Sequence, residues 1–186
     1  MPDISDLREQ DRPRAPKIPG ATDAQRQQGR VLAMIHASYL ENMAQLRGLV
    51  EHIDTDRTAA ATLAETIDNL QMTRNLRTFG ALCGRECHHL LFHHGAEEHH
   101  VFPALEARAE QGVRAVIAKL KEEHVVIHAL LEALSGQANA LMATPDPAAY
   151  AELKDTFGKL EAVLKSHFRY EETELEEALG FHSILI

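Results

Sequence analysis

An all-α fold, an antiparallel up-down-up-down four-helix bundle with a flexible N-terminal segment, is what this chain of 186 residues predicts. Three observations carry the prediction. Apolar residues recur at three- and four-residue spacing over four long stretches, the period of a helix that buries one face. Alanine, leucine and glutamate are abundant, aromatics make up 5% and tryptophan is absent, a mix that favours helices over strands. The stretches are joined by short connections, so the helices must pack on one another. One domain of this size can bury a real core; it is assigned to residues 23–186, with residues 1–22 left as a polar, proline-containing segment without period.

The first helix opens at "TDAQ" (Thr22 to Gln25), which has the form of a capping box. Leu32, Ile35, His36, Tyr39, Leu40, Met43, Leu46, Val50 and Ile53 then recur at helical spacing, so a single helix of about thirty residues is expected, ending near "DTD". A connector, "RTAAATLAETIDNLQMT", follows. The second helix should run from about Asn75 to Arg108, with a kink or break at Pro103. The third covers about Val113 to Gly136, with Ile117, Leu120, His124, Ile127 and Leu131 inward. Asp146 and Pro147 supply cap and first-turn proline for the fourth, from about Ala148 to Leu179, which stops at Gly180. The apolar tail "FHSILI" is expected to fold back over the end of the bundle rather than to serve as a docking or dimer surface.

Six of the twelve histidines lie in "HHLLFHHGAEEHH", residues 88–100. Placed on a wheel at about 100° per residue, they separate. His94 falls near the centre of the buried stripe, with His93 and Glu97 together on one flank. His88 and His99 point outward, and His89 and His100 sit near the His93 edge. On the fourth helix His167 and Glu171 lie within roughly 40° of the stripe's centre, whereas Glu172 points about 100° away. His124 lies well inside the third stripe and His128 at its edge. His36 lies at the edge of the first stripe and Tyr39 close to its centre.

A buried histidine and carboxylate are costly unless something pairs with both, and a metal ion does so. Five imidazoles (His36, His93, His124, His128, His167) and two carboxylates (Glu97, Glu171) are too many for one tetrahedral zinc. They suit two six-coordinate first-row ions with shared carboxylates and room for a small ligand such as O2.

The formal charge of −9 argues against nucleic acid or an anionic membrane as partner. No apolar run is long enough to span a bilayer, and the N-terminus lacks a secretory core. Cys83 and Cys87, at i,i+4 on a helix, are too far apart for a relaxed disulfide. A soluble, reduced, cytoplasmic protein, monomeric or weakly dimeric, is expected.

The motifs "IHASY", "HHGAEEHHVFPAL", "KEEHVVIH" and "SHFRYEE" follow the order H…HxxxE…HxxxH…HxxxE. In this the chain resembles the hemerythrin-like, or HHE cation-binding, proteins of the stand-alone bacterial type, over roughly residues 23–180. The resemblance implies a non-haem di-iron centre, oxo- or hydroxo-bridged, inside the bundle. It implies His36, His93, His124, His128 and His167 as ligands and Glu97 as one bridge, with Glu171 or Glu172 as the second. Some relatives use an acidic residue just after the second-helix histidine, which leaves His94 as a ligand or a close neighbour, and Tyr39 is a further candidate near the iron. The implied function is binding or sensing of O2 or a related small ligand (NO, peroxide). The alternatives are a stress-defence enzyme that dismutates peroxide or reduces NO, and a metal-stabilised interaction module without gas chemistry.

Overall fold

The computed structural model describes residues 7, 9–55, 85–144 and 146–185, without the side chains of 45, 46, 48–50, 52–55, 85–89 and 142. The connector, the first ten residues of the expected second helix and Cys83 lie outside the described residues, as do the side chains of Cys87, His88 and His89. Among the described residues the fold is all-helical. A single 3-10 turn (Glu9–Asp11) is followed by α1 (Asp23–Gly29), α2 (Val31–Thr55) and α3 (Arg85–Ala96). A π-helical turn (Glu97–Val101) joins α3 to α4 (Phe102–Glu106), and α5 (Gln111–Ala143) and α6 (Pro147–Phe181) complete the bundle. No helix among these residues is long and apolar enough to cross a membrane.

The capping box forms as expected. Gln25 N donates to Thr22 Oγ1 at 3.3 Å, and Thr22 N donates to Gln25 Oε1 at 2.8 Å. The expected single first helix is instead two, divided at Arg30. Close packing against α6 accounts for the small residue just before the break. A Cβ on Gly29 would collide with the backbone of Glu176, and one on Gly180 with the backbone of Gln25. Gly180 therefore does not stop α6. It remains helical and lets α1 approach, and the chain turns three residues later, where Ser183 takes a left-handed φ of 52°. That turn returns the tail, so that Ile184 is buried and its N–H bonds Leu179 O at 2.9 Å.

Helix α5 outruns its expected end by seven residues. The apolar stripe continues through Ala138 and Leu141, and the cost of Gly136 in a helix interior, about 1 kcal/mol, is too small to end it. At α6 the cap is as read: Ala149 N donates to the Asp146 carboxylate at 3.0 Å, with Pro147 at the first helical position. The irregularity expected at Pro103 takes the form of the π-turn, in which Phe102 N–H bonds Glu97 O, five residues back. Proline has no N–H to continue the regular ladder and crowds the preceding turn, which favours such widening.

The expected flexible segment is, from Glu9 onward, laid along α6. Tyr170 Oη donates to Pro13 O at 2.8 Å, Ala15 N to Glu174 Oε2 at 2.7 Å and Ile18 N to Glu177 Oε2 at 2.6 Å. Gly112 on α5 makes room for it, since a side chain there would press on Pro16. These contacts use polar and proline residues without a period, so a search for amphipathic stripes does not see them.

The core comes in two parts. One holds Met43, Leu90, Ile127, Leu130, Leu134, Leu160, Leu164 and Phe168; the other holds Leu32, Phe102, Leu105, Val116, Ile117, Leu120, Leu175 and Leu179. Each arm of the bundle passes from one to the other across a short polar interval: His36 on α2, His93 and His94 on α3 with Glu97 at the start of the π-turn, Glu123 and His124 on α5, His167 and Glu171 on α6.

Glycine tests this packing with opposite signs. Gly180→Ala should destabilise by about 1–3 kcal/mol through overpacking. Gly136→Ala, with nothing within 4 Å of the added carbon, should stabilise by up to about 1 kcal/mol. Thermal unfolding of the two variants checks both; equal shifts would contradict the close α1–α6 crossing.

Candidate metal centre

The polar interval is fully internal. His36, His94, His124 and His167 have no exposed surface, Glu97 and Glu171 are 1% exposed and His93 is 6% exposed. Two sets of side chains converge within it. His36, His93, Glu97 and Glu171 bring one atom each within 4.8 Å of one another, and so do His94, His124 and His167.

The two carboxylates span the sets. Glu97 places Oε1 3.0 Å from His93 Nε2 and Oε2 3.5 Å from His124 Nε2. Glu171 Oε2 lies 3.4 Å from His36 Nε2 and 3.9 Å from His167 Nε2. His36 Nε2 and His93 Nε2 approach to 3.0 Å. The π-turn begins at Glu97, so the helix changes pitch where its carboxylate enters the interval.

Behind the rings, carboxylates fix which nitrogen faces inward. His36 Nδ1–H donates to Glu172 at 2.9 Å, His124 Nδ1–H to Glu98 at 2.8 Å and His167 Nδ1–H to Glu123 at 3.0 Å. An ionised carboxylate only accepts, so in each ring Nδ1 carries the proton and Nε2 offers a lone pair inward. Stacking holds two of the imidazoles flat: Phe168 lies on His36 at 3.9 Å, and the His94 ring lies on His124 at 3.9 Å.

Of the residues singled out from sequence, His36, His93, Glu97, His124, His167 and Glu171 all converge, and His94 joins them. His128 does not; half-buried, it lies behind His94, with its Nε2 3.1 Å from His94 Nδ1. Glu172 backs His36 and is not in either set. Tyr39 is half-buried, its ring 5.5 Å from that of His93. Glu98 and Glu123 were not singled out. Their only sequence signal was an acidic residue next to an inward ligand candidate, Glu97 and His124 respectively.

Burial sets the protonation. It pushes His36 and His93 down to about 4 and His124 to about 2, and lowers His94 and His167 as well. It raises Glu97, and raises Glu171 further with help from the neighbouring Glu97 charge. Among the buried side-chain atoms without a hydrogen-bond partner are His94 Nε2, His124 Nε2, His167 Nε2, both Glu97 oxygens and Glu171 Oε2. Inward lone pairs and unpaired carboxylate oxygens facing one another in a buried interval fit cations, which would supply a partner to each of them.

An all-helical bundle with such a layer defines a metal-binding protein. The family model described as Hemerythrin HHE cation binding domain matches residues 28–179, and the chain belongs to that family. No curated protein and no solved structure gave a significant match.

Metal loading must expel protons from Glu97 and Glu171, whose carboxyls are held above their ordinary range, and none from imidazoles that are already neutral. Calorimetric titration with Fe(II) at about pH 6, in buffers of different ionisation enthalpy, should therefore show proton release; none would mean the carboxyls are already ionised. By the same linkage, the metal-free protein should lose stability as pH rises through the elevated carboxyl values. It should also lose stability as pH falls below 6.5, the ordinary histidine value, where the unfolded chain takes up protons that the buried rings refuse.

Proposed function

We propose that the protein is a non-haem di-iron protein that binds O2 or a related small ligand, NO or peroxide, at a centre inside an antiparallel, up-down-up-down bundle. The pairing of Gln137 with Glu152 and of Glu123 with His167 supports that helix order, since rising numbers on α5 meet falling numbers on α6. His94, His124 and His167 would hold one ion and His36 and His93 the other, with Glu97 and Glu171 shared. His128 would orient His94 from behind, as Glu172 would orient His36.

The observation that carries the reading is the inequality of the two sets. Three histidines stand on one side and two on the other, with both carboxylates reaching a histidine of each. Among the described residues, an ion held by the second set would have one histidine fewer than its neighbour, which would leave a place for a small ligand. Nitrogen and carboxylate donors in this number exceed a tetrahedral site and suit iron. A ferrous pair would supply the electrons and the open position that O2 requires.

The chain's own residues do the remaining work. The apolar cores on both sides keep bulk water from the layer, and Phe168 and Phe102 close on His36 and His124. The carboxylates at Nδ1 hold the rings so that the donor atoms do not reorganise when a ligand enters.

Protein loaded with Fe(II) without oxygen should take up about one O2 per two irons, with an optical change that reverses on deoxygenation. Immediate irreversible oxidation would rule out a carrier or sensor. Sustained O2 evolution from added peroxide would move the reading to an enzyme of peroxide dismutation.

A further inference from the structure

Three carboxylates hold the Nδ1–H groups of the converging histidines, and one of them differs. The Glu98 and Glu172 side chains are 37% and 31% exposed, so water solvates their charge. Glu123 has no exposed surface. Its charge is met by Arg12, whose side chain is 6% exposed and reaches the carboxylate with both arms of its fork: Nε to Oε1 at 2.8 Å and Nη2 to Oε2 at 3.0 Å. The same Oε2 accepts His167 Nδ1–H at 3.0 Å. The remaining guanidinium nitrogen donates to Ser166, to Oγ at 2.9 Å and to the carbonyl at 3.3 Å. Tyr170 supports the group from below, its ring centroid 4.7 Å from the guanidinium carbon and its hydroxyl bonded to Pro13 O.

Arg12 lies outside residues 28–179, the part of the chain that the family description covers. We propose that Arg12 is a positioning residue for the metal centre: by a bidentate bond it fixes Glu123 so that this carboxylate holds the His167 ring with Nε2 directed inward. The proposal rests on the reading that His94, His124 and His167 hold a metal ion. The fork geometry fixes the carboxylate plane as a point charge cannot. Without it, the donor that Glu123 keeps among the described residues is the neutral His167 Nδ1–H, a single bond that does not fix the carboxylate plane. The segment before α1 is thereby part of the centre, and its docking along α6 and retention of the metal are linked.

The test uses the full chain, loaded with Fe(II) without oxygen, and measures the rate of iron release to an excess of Fe(II) chelator. Metal-free samples are followed in parallel by thermal unfolding. Arg12→Gln should release the more weakly held iron faster, on the order of 10-fold. Arg12→Lys, a cation without the fork, should fall between it and the parent, and decides the matter in the same way if Arg12→Gln does not fold. Tyr170→Phe removes the tie to Pro13 and leaves Glu123 untouched, so its release rate should stay within about twofold of the parent.

Parental release rates in both Arg12 variants would overturn the proposal, even with a lowered unfolding temperature, because Arg12 would then be only a brace. So would a Tyr170→Phe variant as fast as Arg12→Gln. His167→Ala separates the underlying reading. If it retains iron like the parent, or the parent binds none, the metal assignment fails, and the role of Arg12 with it; if it loses iron while the Arg12 variants do not, only the role of Arg12 fails.

Discussion

A layer of polar atoms with no hydrogen-bond partner, closed between two apolar cores, is the constraint on which the rest of this structure turns. An unsatisfied buried polar group costs about 1–3 kcal/mol, and the net stability of a domain is roughly 5–15 kcal/mol. Six such atoms in one place cost a substantial share of that margin wherever neither a shared proton nor a cation joins them. Cations that coordinate them reverse the sign, because binding energy realised only in the folded chain adds to its stability. The same atoms that make the layer expensive when empty make it selective for metal.

The architecture serves that layer. The bundle helices carry their converging groups at the same level, so each needs only a short polar interval between two largely apolar runs. On α6 the interruption is His167 to Glu171, flanked by Leu164 and Leu175. The π-turn at Glu97 and the carboxylates behind the rings then refine what the helix period delivers coarsely. A third level of control comes from outside the bundle, where residues 9–18 run along α6 and deliver a cation to the one supporting carboxylate that water cannot reach.

Much of this was legible in the sequence because helix period and burial are tied. The wheel set His94 near the centre of its stripe and His128 at an edge, and the two differ in burial in that sense. The choice of Glu171 over Glu172 as the inward residue follows the same logic. What lay hidden depends on contacts between elements rather than on period within one. The break at Arg30 and the helical Gly180 reflect a close crossing of α1 and α6, which spacing along one helix does not encode. Glu98 and Glu123 act through rings on other helices, and Arg12 sits in a stretch without any repeat.

The central claim, that the layer holds two metal ions shared by Glu97 and Glu171, is tested most directly by anomalous diffraction at the iron edge from crystals of the iron-loaded protein. The account predicts two anomalous peaks inside the layer, one beside His94, His124 and His167 and the other beside His36 and His93. A single peak, or one bound by His128 with His94 turned away, would contradict it.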